Sequence, residues 1–170
     1  EYDELSPDNL VVVDIDGEIL EGDLKPSVDT GAHLRIYRES DSVGGIIHTH
    51  STYATAFAAA GREIPVYVTE LADVFGDTIP VSEYVPPGSE AIGREFAANT
   101  KDEKFQALLM KNHGLFAAGH APSDALKAAL HVEHSAKISA ITEGLGQPEE
   151  IPAEEAAALQ SEYLDGYGQD

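Results

Sequence analysis

Two histidines close the stretch Gly44-Gly45-Ile46-Ile47-His48-Thr49-His50-Ser51. The apolar pair Ile46-Ile47 marks a strand, and side chains alternate faces along a strand, so His48 and His50 project the same way. Two imidazoles on one face can share a metal ion, although a bare pair of this kind also arises by chance at strand ends. A catalytic metal needs a third protein donor and an open coordination position. Lys111-Asn112-His113-Gly114 offers that donor, since a histidine beside glycine in a turn is poorly explained as core filling. His33, His120, His131 and His134 compete for the role, and spacing does not separate them. His131 and His134, three apart, read more simply as a solvated helix face.

These residues need elements to hold them. Leu10 to Ile15, rich in valine, reads as a buried strand, and Asp16-Gly17 as the turn of a hairpin returning through Glu18-Ile19-Leu20. Lys25-Pro26-Ser27 breaks the strand, and Asp29 or Thr30 can cap a helix through His33, Leu34, Ile36 and Tyr37. The strand from Ile46 to His50 follows. Ser51 can cap a helix over Thr55 to Ala60 that Gly61 ends, and Ile64 to Val68 reads as another strand. Asp73 then stands as an aspartate after a strand. Beyond the break at Pro86-Pro87-Gly88, Glu90 to Thr100 has helical spacing with Ile92, Phe96 and Ala97 inward. Phe105 to Met110 is a strand, and Leu115 to Ala118 its antiparallel return around His113. Pro122-Ser123-Asp124 opens a long helix to about Glu143, with Leu126, Leu130 and Ile138 on its inner face, and an acidic helix follows Ile151. Strands and helices mix without a strict βαβ rhythm, which predicts a three-layer α/β/α domain on a largely antiparallel central sheet.

Composition narrows the function. The chain has 170 residues, enough for one domain with a sizeable core. Cysteine is absent, so a disulfide framework and a thiolate metal site are both excluded, and any metal must use histidine and carboxylate. The net charge of −21, from 31 acidic against 10 basic residues, argues against nucleic acid or an anionic membrane as partner. No apolar run approaches the roughly 18 residues of a membrane span. These features fit a cytoplasmic enzyme. The first residue is Glu1 and the only methionine is Met110, from which we expect a piece lacking its N-terminal part.

Several stretches together carry a likeness. Lys25-Pro26-Ser27-Val28-Asp29-Thr30, Ile46-Ile47-His48-Thr49-His50-Ser51, Ala72-Asp73, Lys111-Asn112-His113-Gly114 and the terminal Tyr167-Gly168-Gln169 occur in the order and with the spacing of the class II aldolase/adducin family, which this chain resembles over nearly its whole length. The Tyr-Gly-Gln ending and the aspartate at position 29 lean toward the family's epimerases of L-ribulose 5-phosphate. Related fuculose-phosphate aldolases place glutamate there.

The resemblance implies a zinc-dependent enzyme, one Zn²⁺ per subunit, with His48, His50 and His113 as ligands and Asp29 close to the metal. The implied reaction interconverts L-ribulose 5-phosphate and D-xylulose 5-phosphate by cleaving C3–C4, turning the aldehyde and rejoining it on its other face. Inversion needs a proton-transfer group on each side of that aldehyde. Asp73 and Tyr167 match those positions, the tyrosine reaching the site of a neighbouring subunit in a homotetramer. Ser27 matches a phosphate-contacting serine. Val28 stands where the family usually has a second one, leaving only its backbone N–H. The same resemblance admits an aldolase on a related sugar phosphate, or a non-catalytic oligomerising module of the adducin kind.

Overall fold

Phe105–Met110 and Gly114–Gly119 are buried at every position, and they form the hairpin around which the fold is layered. The computed structural model describes residues 6–101 and 103–166. After a 3₁₀ turn at Pro7–Asn9, the elements are β1 (Val12–Val13), β2 (Ile19–Glu21), α1 (Thr30–Glu39), β3 (Gly45–Thr49), α2 (Thr52–Ala60), α3 (Thr69–Phe75), α4 (Ala91–Asn99), β4 (Phe105–Met110), β5 (Gly114–Gly119), α5 (Pro122–Leu145) and α6 (Ala153–Leu164). The main sheet has the order β3-β5-β4 and is antiparallel throughout, with His48 opposite Phe116 and Met110 opposite Gly114.

Alternation along β4 and β5 divides the interior into two cores. Ala107, Leu109, Leu115 and Ala117 face α2, α3, α5 and α6. Leu108, Met110, Phe116 and Ala118 face α1 and α4. The result is the α/β/α layering expected, with both sheet faces covered and strand sequences that are apolar almost without interruption. No helix among the described residues is long and apolar enough to cross a membrane.

Four expectations are corrected. The first hairpin forms, but among the described residues β1 and β2 pair only with each other, so the strand is not buried: Leu10 is 64% and Val12 46% exposed. Residues 64–68 make a single bridge, Ile64 to Ile79, in place of a strand, because Pro65 has no N–H to donate to a ladder. The helix α3 follows directly and carries Asp73. In α4, Ile92 and Phe96 are buried as expected, but Gly93 takes the inner position expected of Ala97, which is exposed. The long helix turns its small residues inward, Ala125, Ala128, Ala129, Val132, Ser135, Ala136 and Ser139, and leaves Leu126 and Leu130 exposed. Close approach explains that choice: a Cβ on Gly119 would lie 2.5 Å from the Asp124 Cβ, so α5 runs too near the sheet for large side chains to fit between them.

Candidate metal centre

The open end of the β3-β5-β4 sheet collects the chemistry. His48 is the penultimate residue of β3 and His50 the first beyond it, while His113 ends the three-residue turn between β4 and β5. That turn depends on Asn112, which adopts the left-handed conformation (φ 58°) that asparagine tolerates better than most residues. The His113 N–H donates to the Met110 carbonyl at 2.9 Å and closes it.

The three imidazoles stand mutually adjacent, with ring centroids 4.8 to 4.9 Å apart. One potential ligand atom from each lies within 4.8 Å of the others, and this is the one group of three or more metal-capable side chains assembled among the described residues. His48 is held on two sides: its ring stacks on Phe116 at 4.3 Å, and its Nδ1–H donates to the Leu115 carbonyl at 2.9 Å. That bond assigns the proton to Nδ1 and turns the Nε2 lone pair toward His50, whose Nε2 is 3.0 Å away.

Asp29, at the N-terminus of α1, brings a carboxylate to the same point, with Oδ2 3.9 Å from His48 Nε2. Its Oδ1 and the Nδ1 of His113 are buried and, among the described residues, have no hydrogen-bond partner. Orphaned buried polar atoms carry a cost of about 1–3 kcal/mol each. A carboxylate and three imidazoles are a donor set suited to a zinc-like divalent cation, so the residues fit one. Burial lowers the pKa of His48, with His113 adding to the effect. Burial and then His50 do the same for His113. Both shifts favour the neutral ring, the form that binds metal.

The competing histidines are elsewhere or engaged. His33 donates from Nδ1 to the Asp29 carbonyl at 2.9 Å and lies against Phe116. His120 is exposed beyond β5. His131 and His134 are not simply a solvated face: both meet Glu70 of α3, at 3.2 and 3.4 Å, and tie α3 to α5. Ser27 and Val28 are exposed in the turn before Asp29, where Ser27 Oγ accepts the Asp29 N–H at 3.3 Å.

Asp73 is not brought to the histidines. It lines a cleft of about 380 Å³ with Thr69, Leu159, Glu162 and Tyr163, between α3 and α6. Burial there, reinforced by Glu162 and Glu70, raises its carboxyl pKa. Tyr167 and the rest of the Tyr-Gly-Gln ending lie outside the described residues. Sequence reasoning missed one contributor. Glu133, from the middle of α5, accepts the Tyr53 and Ala54 N–H groups at the start of α2, and no local pattern announces that contact.

Comparison with known proteins places this geometry. Residues 1–140 match the profile described as the class II aldolase and adducin N-terminal domain. The chain is 37% identical over 155 residues to an L-ribulose-5-phosphate 4-epimerase of Salmonella paratyphi C, covering 85% of this chain and 67% of that protein. It is 32% identical over 169 residues to a 5-deoxy-D-ribulose 1-phosphate aldolase of Bacillus thuringiensis serovar kurstaki, covering 99% and 78%. A solved L-fuculose 1-phosphate aldolase superposes with a TM-score of 0.88 at 30% identity, over 96% of this chain and 76% of that one.

Proposed function

The chain belongs to the class II aldolase and adducin family, and on that premise we propose that it is a zinc-dependent epimerase interconverting L-ribulose 5-phosphate and D-xylulose 5-phosphate. The observation that carries this reading is the convergence of His48, His50 and His113 with Asp29 at their edge, in a chain 37% identical to an epimerase of that substrate. Zinc bound there would supply Lewis acidity toward the sugar's carbonyl and adjacent hydroxyl oxygens, which is what C3–C4 cleavage requires.

The protein's own residues supply the rest. The strand pairing and the Leu115 and Phe116 contacts hold His48 in one orientation, so the donor set is assembled before substrate arrives. Ser27 and the Val28 N–H stand in the turn beside Asp29, where they can receive the phosphate. Asp73 and Tyr167 are the proposed proton-transfer pair. A raised carboxyl pKa suits Asp73 to hold and release a proton nearer neutrality than an ordinary aspartate. Its cleft shares no residue with the histidine group. The reading places the site in a homo-oligomer that we take to be a tetramer, with Tyr167 reaching it from a neighbouring copy.

The aldolase relative supports a second reading, an aldolase on a related sugar phosphate, because its match runs over 99% of the chain. An oligomerising module without catalysis is disfavoured, since such a module has no use for three preorganised imidazoles. Incubation of the zinc-loaded protein with L-ribulose 5-phosphate, followed by NMR, separates the two enzymes. The epimerase reading expects D-xylulose 5-phosphate to accumulate. Free carbonyl fragments without epimer would establish the aldolase instead.

A further inference from the structure

We propose that Glu133 is a positioning residue for the histidine centre: its carboxylate clamps the first turn of α2 and thereby fixes the chain that carries His50. The inference rests on the metal reading above.

A helix begins with backbone N–H groups that have no partner inside it, and a serine at the N-cap normally accepts one of them. Ser51 occupies the N-cap of α2, yet its side chain makes no such bond. The groups are satisfied from 80 residues away. Glu133 Oε1 accepts the Tyr53 N–H at 3.0 Å, and Oε2 accepts the N–H groups of Tyr53 at 3.1 Å and Ala54 at 2.8 Å. A carboxylate bonded to helix N-terminal amides combines charge-assisted hydrogen bonds with the favourable end of the helix dipole. One turn further along α5, the Lys137 ammonium lies 5.8 Å from the centre of the Tyr53 ring, so α5 grips this turn twice.

The grip matters because of what precedes it. His48 has its own supports in Leu115 and Phe116. His50 is exposed, and among the described residues the one hydrogen bond of its ring is to His48. Its position is inherited from the backbone on either side. Thr49, paired with Leu115, pins one side. The other is the first turn of α2, which begins two residues on, and Glu133 pins it at Tyr53 and Ala54. A cap serving helix stability alone could be local. This one ties the exit of the metal-bearing strand to the 24-residue helix that spans the back of the sheet.

The test compares wild type with Glu133→Gln, which keeps size and one acceptor oxygen, and Glu133→Ala, which keeps neither. Cobalt(II) serves as the probe, its affinity measured by chelator competition and its geometry by d–d absorption, on protein confirmed folded by circular dichroism. Urea unfolding of the metal-free proteins gives stability separately. The expected result is a loss of about tenfold to a hundredfold in cobalt affinity for Glu133→Ala, with an altered d–d band and a smaller loss for Glu133→Gln. A lower urea midpoint with wild-type affinity and spectrum would reduce Glu133 to an ordinary cap and overturn the proposal. If Glu133→Ala does not fold, Glu133→Gln decides on the same criterion. Wild-type protein that binds no cobalt would overturn the metal reading, and this inference with it.

Discussion

Gly114→Ala adds one methyl group at the point where the sheet meets the histidines, and the structure gives its consequences. Gly114 is buried at the head of β5, opposite Met110. A Cβ there would lie 2.5 Å from the Thr49 carbonyl oxygen, 2.7 Å from His50 Cδ2 and 3.3 Å from His48 Cε1. The first two contacts must open beyond 3.0 Å, a separation that real Cβ atoms essentially never breach. Thr49 is fixed by pairing with Leu115, so the His50 ring takes up much of the movement. Overpacking of this kind costs about 1–3 kcal/mol. Metal donors are placed to within about 0.2 Å, so a shift of several tenths also disrupts the centre. We expect zinc affinity to fall at least tenfold, about 1.4 kcal/mol, beyond the loss of stability in the metal-free protein. Chelator competition gives the first quantity and urea unfolding the second. An alanine variant that is destabilised yet binds zinc as tightly as wild type would refute the reasoning, since the methyl group would then displace something other than the donors.

Three further outcomes follow from the same geometry. Asn112→Val forces a β-branched residue into the left-handed region and should cost about 1–2 kcal/mol in urea unfolding, whereas Asn112→Gly should be tolerated; equal stability of the valine variant and wild type would contradict this. Burial depresses the folded-state pKa of His113 below 6.5, so the unfolded chain binds protons first and metal-free stability drops as pH falls through that value. Acidification also relieves the repulsion of a net −21 chain, so the informative quantity is a difference: between about pH 8 and about pH 5.5 wild type should lose more stability than His113→Gln, and equal losses would contradict it. Asp73→Asn should lower kcat by roughly a hundredfold or more with zinc content unchanged, because Asp73 lines a cleft apart from the donors; near-normal turnover, or loss of zinc, would remove its assigned role.

What could be read before folding was local. Ile46 to His50 is a strand because its apolar run says so, and the β4–β5 hairpin is legible from two apolar stretches around Asn112-His113-Gly114. Spacing alone does not choose among five possible third ligands; the family resemblance is what points to His113. The choice depends on His48 pairing with Phe116 and His113 ending the adjoining turn, a matter of strand register that spacing does not encode. Leucine ordinarily marks a buried helix face, whereas on α5 the closeness of helix and sheet decides, and only small residues fit. The seven residues of α3 are hidden in the sequence because they follow an apolar run resembling a strand, and Pro65 is the signal against that run. Glu133 could not have been found in sequence: its partners are 79 and 80 positions away.

The central claim is that His48, His50 and His113 are the ligands of one metal ion. A crystal grown with zinc and measured at the zinc absorption edge addresses it directly. The account predicts one anomalous peak per chain, within bonding distance of a nitrogen from each of the three histidines, with Asp29 beside it. A peak at Glu70 and the His131 and His134 pair, or none at the triad, would contradict it.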